Sequence, residues 1–172
     1  MYIKRSELLA LRESVEFKRI NENFRKRQFE KLTKYDVFLS HATDDKEIMQ
    51  LSKAHFERLG KTVYVAELED PIDNNADEKI TKEFVKTLQS AMAISDSFCY
   101  VLSAGERTST WMPWELGYFD GKYGNKKPIQ VLTIYDNMID DEDKYHGHEY
   151  LKLYPHNVED SIDAILKHQI CD

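Results

Sequence analysis

The residues of this chain best placed for chemistry lie in the stretch Trp111-Met112-Pro113-Trp114-Glu115, where a carboxylate follows two indoles. On a helix, Trp111 and Glu115 are four positions apart and share a face. A carboxylate so placed can transfer protons or face a developing positive charge. Taken alone, Glu115 also fits an ordinary surface acid near a helix N-terminus, where the dipole favours negative charge. Trp111 and Trp114 likewise fit core or edge aromatics as readily as the wall of a site. Ser40-His41 is a second candidate group at the end of an apolar run, although a Ser there serves as a cap as often as a ligand. His146-Gly147-His148-Glu149 is the nearest approach to a metal motif. A lone His-x-His in an acidic loop does not close a four-ligand site, so no metal is expected. The chain contains no Gly-x-Gly-x-x-Gly and no phosphate-binding loop, which argues against a dehydrogenase or an NTPase. Cys99 falls mid-strand and reads as buried and inert, and Tyr118 and Asp120 read as structural.

These residues need elements to position them. Tyr35 to Ser40 is a short apolar run suited to a buried parallel strand. Asp44 and Asp45 offer caps for a helix to Leu59, stopped by Gly60. Thr62 to Val65, Phe98 to Leu102 and Ile129 to Ile134 read as three more strands. Ile80, Phe84, Leu88 and Met92 mark an amphipathic helix, and a further helix begins near Thr110 and ends before Gly121. Glu67–Asp77 and Asp136–Asp143 are acidic loops, the first unusually long. Leu151 and Leu153 suggest a short last strand, and Ile162, Ile165 and Leu166 a closing helix. At the other end, residues 6–32 read as one long helix capped by Ser6, with Leu8, Leu11, Val15, Ile20 and Phe24 as its stripe.

Strands alternating with helices predict an α/β fold, a flavodoxin-like doubly wound parallel sheet of about five strands. The expected order, 2-1-3-4-5 for the strands from Tyr35 onward, puts a ligand crevice between the first and third of them. Ser40-His41 and the helix carrying Glu115 would flank it. The division expected is an N-terminal helical extension over 1–34 and the main domain over 35–172.

Composition narrows the setting. The 172 residues are 41% hydrophobic and 32% charged, with no apolar run long enough to span a membrane. Two cysteines form no disulfide framework and the first residues lack a secretory signal, so a cytoplasmic location is expected. Residues 1–34 hold ten Lys/Arg and five Glu, a net of +5, and the remainder carries −12. So acidic a body does not attract nucleic acid. The basic segment has its own acidic domain or a partner to dock on.

Tyr35-Asp36-Val37-Phe38-Leu39-Ser40-His41-Ala42, with Asp45 shortly after, resembles the opening strand and loop of Toll/interleukin-1 receptor (TIR) domains. Trp111 and Glu115 match the Trp-x-x-x-Glu of that family's enzymatically active branch. Pro113-Trp114-Glu115-Leu116-Gly117 is similar to stand-alone bacterial members, of the kind found in Thoeris anti-phage defence. The resemblance covers roughly 35–170. It implies cleavage of the nicotinamide–ribose bond of NAD, giving ADP-ribose or a cyclic or otherwise modified signal that activates a separate effector. NAD is then substrate, and no cofactor is implied. The catalytic residue carries over to Glu115, with Trp111 supporting it. Ser40, His41 and Trp114 join Trp111 as candidate substrate-binding residues. Glu67–Asp77 corresponds to the family's flexible loop but is acidic and lacks the usual glycine, which weighs against receptor-style adaptor binding. The resemblance further implies a site completed between protomers, hence self-association, which the N-terminal helix would promote. The alternative is a non-catalytic module that acts by assembly.

Overall fold

The computed structural model describes residues 2–12, 34–42, 46–65, 82–103, 109, 111–135 and 148–156. Within them lie five strands: β1 (Tyr2–Lys4), β2 (Tyr35–Ser40), β3 (Val63–Tyr64), β4 (Ser95–Ser103) and β5 (Ile129–Tyr135). Four α-helices accompany them: α1 (Arg5–Leu11), α2 (Lys46–Arg58), α3 (Lys82–Ala93) and α4 (Trp111–Tyr123). A 3-10 turn covers Glu149–Leu153.

The strands form one parallel sheet in the order β1-β5-β4-β2-β3. Alternation along each strand divides its side chains between two faces. Val37, Leu39, Cys99, Val101, Leu132 and Ile134 meet Leu8 of α1 and Ile48, Met49, Leu51 and Phe56 of α2. On the other face Phe38, Phe98, Tyr100 and Val131 meet Leu88 and Met92 of α3 and Met112, Leu116 and Phe119 of α4. Helices on both faces of a parallel sheet make it doubly wound, as the alternation of elements predicts.

From β2 the chain builds outward to β3, then crosses back to place β4 on the other flank of β2. The switch point therefore lies between β2 and β4, beside Ser40, as expected. The far edge departs from expectation. The fifth strand is N-terminal: Tyr2, Ile3 and Lys4 pair with Thr133, Ile134 and Tyr135 of β5. Segments 131 residues apart in sequence meet here, and no local pattern announces such a pairing. The helix that follows starts at Arg5 with no side-chain cap, so Ser6 lies inside its first turn rather than capping it. The expected continuation to residue 32 lies beyond residue 12, outside the described residues.

Leu151 and Leu153 do not form a strand. Residues two apart on a strand share a face, yet Leu151 is fully buried and Leu153 is 82% exposed, because the segment turns as a 3-10 helix. The next residues still reach the sheet: the Pro155 carbonyl accepts the Val131 N–H at 3.1 Å. α4 runs two residues past the expected stop at Gly121. The expected caps Asp44 and Asp45, and the closing helix at Ile162, Ile165 and Leu166, lie outside the described residues.

Turn chemistry elsewhere follows the sequence. Gly60 adopts φ +79 after α2, a conformation that favours glycine, and Lys61 N–H donates to the Phe56 carbonyl to close the end of the helix. Asp36 Oδ2 accepts both the N–H and the hydroxyl of Thr62 at 2.7 Å, tying the start of β2 to the approach to β3. Lys127 donates to the carbonyls of Ala93 and Ser95 at 2.7 and 2.6 Å, closing the junction of α3 and β4.

Candidate functional site

Glu115 sits in the apolar stripe of its helix. Met112, Glu115, Leu116 and Phe119 are the buried residues of α4, spaced at three and four as one helical face requires. An acid in that stripe is not the surface acid that the residue alone suggested; Glu115 is only 6% exposed. Burying a carboxylate is costly unless it is hydrogen-bonded. The Ser40 hydroxyl, itself buried, donates to Glu115 Oε2 at 2.5 Å.

Local geometry explains how residues 75 positions apart meet. Phe38 of β2 lies in register with Phe98 of β4, and their rings stack at 5.6 Å. Phe98 packs in turn on Phe119 of α4, centroids 5.1 Å apart. These three rings fix α4 against the two strands beside the switch point. Each such pair contributes about 0.5–1.5 kcal/mol beyond simple burial. From Phe119, four residues back along the helix cover ~6 Å and reach Glu115. From Phe38, two residues forward along the strand cover ~6.6 Å and reach Ser40 on the same face. The rises match, so the anchored phenylalanines deliver carboxylate and hydroxyl to the same level.

The start of α4 supports this placement. The Ser109 hydroxyl accepts the Trp111 N–H at 3.2 Å, and Pro113 falls in the first turn, where its missing N–H costs no helical bond. Trp111 and Trp114 are half-buried and meet edge to face at 5.5 Å. Phe84 of α3 meets the other side of Trp111 at 5.5 Å, and Tyr118 stacks on Trp114 at 5.5 Å. Phe84, Trp111, Trp114 and Tyr118 thus form a continuous row of rings, in which Trp111 precedes Glu115 by about one turn of α4. Sequence reading took Phe84 only as a core position and Tyr118 as structural. The spacing 111, 114, 118 was the available signal for a continuous aromatic face.

The other candidates fall as follows. His41 is half-buried, with Nδ1 2.5 Å from the Ala42 carbonyl, which accepts from it. Asp120 accepts the Tyr154 hydroxyl at 2.8 Å; burial first, and then that carboxylate, push the Tyr154 phenol up to about 12. Cys99 is fully buried, and burial pushes its thiol up to about 12, which suits the inert role expected of it. His148 is exposed and stacks on Tyr150, centroids 5.2 Å apart, while His146 lies outside the described residues. The loops Glu67–Asp77 and Asp136–Asp143 lie outside them too. Among the described residues no helix is long and apolar enough to cross a membrane.

A doubly wound parallel α/β domain with a buried acid at its switch point is the class that fold and site define. No protein-family model matches the chain. A probable 3' cyclic ADP-D-ribose synthase, ThsB', of Bacillus cereus strain MSX-D12 is 39% identical over 132 residues, 76% of this chain. The match spans 64% of that relative, a little under two thirds of its length. The crystal structure of the TIR domain of the Toll-related receptor TRR-2 from Hydra magnipapillata overlaps 79% of this chain and 94% of its own, at 16% identity and TM-score 0.47. The chain is thus similar in sequence to this bacterial synthase over about three quarters of its own length.

Proposed function

We propose that the chain is an NAD-processing TIR enzyme that breaks the nicotinamide–ribose bond, with Glu115 as its catalytic carboxylate. The observation that carries the reading is the burial of Glu115 at the switch point, on Ser40, in a chain 39% identical over 132 residues to a probable 3' cyclic ADP-D-ribose synthase.

Cleaving an N-glycosidic bond to nicotinamide passes through an oxocarbenium-like ribose. The C–N electron pair leaves with the pyridinium nitrogen, so nicotinamide departs neutral and needs no general acid. Positive charge then develops on the ribose, and a nearby carboxylate stabilises it more than it stabilises the ground state. Attack by water at that carbon gives ADP-ribose, with a proton lost to solvent. Attack by a hydroxyl of the same molecule gives a cyclic product and loses the same proton. The name of the Bacillus relative favours the cyclic outcome here.

In this reading Trp111 and Trp114 wall the substrate, and His41 lines its approach. The product is a signal in anti-phage defence, received by a separate effector protein, and the site is completed by self-association. The test is incubation of the purified protein with NAD, followed by chromatography and mass spectrometry. Free nicotinamide with an equal amount of an ADP-ribose-derived nucleotide is expected. Intact NAD after incubation at high protein concentration, where assembly is favoured, would leave the domain a non-catalytic module.

A further inference from the structure

We infer that Ser40 is a positioning residue for the carboxylate of Glu115: its hydroxyl holds Oε2 in one orientation and keeps the acid ionised. This rests on the assignment of Glu115 as the catalytic residue and revises the sequence-level expectation that Ser40 meets the substrate.

Three observations carry it. Ser40 and Glu115 are 2% and 6% exposed, so both groups are largely withdrawn from water. A carboxylate so placed favours its neutral form unless a donor compensates the lost hydration. The Ser40 hydroxyl supplies such a donor at 2.5 Å. The two are also delivered by separate anchored elements, Ser40 by β2 through Phe38 and Glu115 by α4 through Phe119. The contact is therefore set by packing and does not depend on a mobile surface side chain.

Orientation matters because the oxocarbenium charge is confined to a few atoms of the ribose. A carboxylate free to rotate meets that charge in only a fraction of its rotamers, and one that is protonated at working pH does not stabilise it at all. A hydroxyl on one oxygen addresses both problems. It leaves recognition of NAD to the aromatic row and the strand-end loop.

The test is Ser40→Ala, measured in two ways. In steady-state NAD cleavage, kcat falls roughly tenfold while KM for NAD stays within about twofold. The acidic limb of the rate profile moves up by ~1 pH unit. A residue that merely packed would leave that limb in place, and one that bound NAD would raise KM. His41, on the exit of β2, is a titratable neighbour, so the carboxyl group is also read directly. Side-chain carboxyl resonances of 13C-Glu protein, without NAD, are titrated in wild type and Ser40→Ala, with Glu115→Gln assigning the signal. The Glu115 signal is expected to titrate ~1 unit higher in Ser40→Ala. An unchanged midpoint, or a raised KM with an unmoved acidic limb, overturns the proposal. If wild type leaves NAD intact and the resonance still moves, Ser40 positions the carboxylate and it is the NAD reading that fails.

Discussion

Replacing Leu8 with Ala tests whether the N-terminal segment belongs to the domain. Leu8 of α1 is 0% exposed and packs in the same core layer as Ile48, Met49 and Leu51 of α2. The strand before it, β1, completes the sheet edge on β5 through Ile3, itself 4% exposed. Leu→Ala removes three carbons, worth ~0.8 kcal/mol each in transfer. A cavity term follows, because the helix and sheet around the site relax only in part, and such buried changes cost about 2–5 kcal/mol in total. We expect ~3 kcal/mol, which at this chain length lowers the melting temperature by about 6–12 °C. The assay is thermal and urea unfolding followed by circular dichroism, with m unchanged so that the midpoint reports stability. Arg12→Ala is the internal control. Its ion pair with Glu47, 3.0 Å long, joins side chains 63% and 47% exposed, and such pairs contribute little. A Leu8→Ala protein that melts with wild type but loses mass in light scattering would refute the reasoning. The stripe would then serve association, as the family resemblance implied.

Two further outcomes follow from titratable groups whose charged form burial disfavours. His156, on the segment joined to β5, has its imidazole pushed below the ordinary 6.5, chiefly by burial. Protons then bind the unfolded chain more readily, so this contribution to stability is present above pH 6.5 and lost as pH falls through the lower folded-state value. The melting temperature should fall between pH 7 and pH 5, and by less in His156→Gln; equal slopes for the two proteins would contradict this. Cys99, its thiol pushed up to about 12 by burial, should resist iodoacetamide at pH 8 in the folded protein and react fully in urea, as peptide mass mapping of that residue will show. Rapid labelling of Cys99 in the native state would mean that the β4 core opens.

The central sheet was legible because its signals are local. Val37 to Ser40, Phe98 to Leu102 and Ile129 to Ile134 are apolar runs of strand length, and Gly60 marks a helix end by its own backbone chemistry. Glu115 could be singled out from its neighbours Trp111 and Trp114. Its partner could not, since the Ser40 contact depends on Phe38, Phe98 and Phe119 stacking in three dimensions. The same limit explains the N-terminus. Tyr2-Ile3-Lys4 is too short to announce a strand, and it becomes one because β5 offers an open edge there. Leu151 and Leu153 show the opposite error. Alternation suggested a strand, but the Glu149–Leu153 turn buries only the first, and Pro155 has no N–H to continue a ladder.

The most direct measurement of the account is nicotinamide release by wild type and Glu115→Gln at matched concentration, with matched melting temperatures confirming that both are folded. Glutamine keeps the shape of the side chain and an oxygen to accept from Ser40, and removes only the charge that faces the developing cation. A loss of at least ~100-fold in the rate of release is predicted. A folded Glu115→Gln protein that retains more than half of the wild-type rate would show that the buried carboxylate is not the catalytic group.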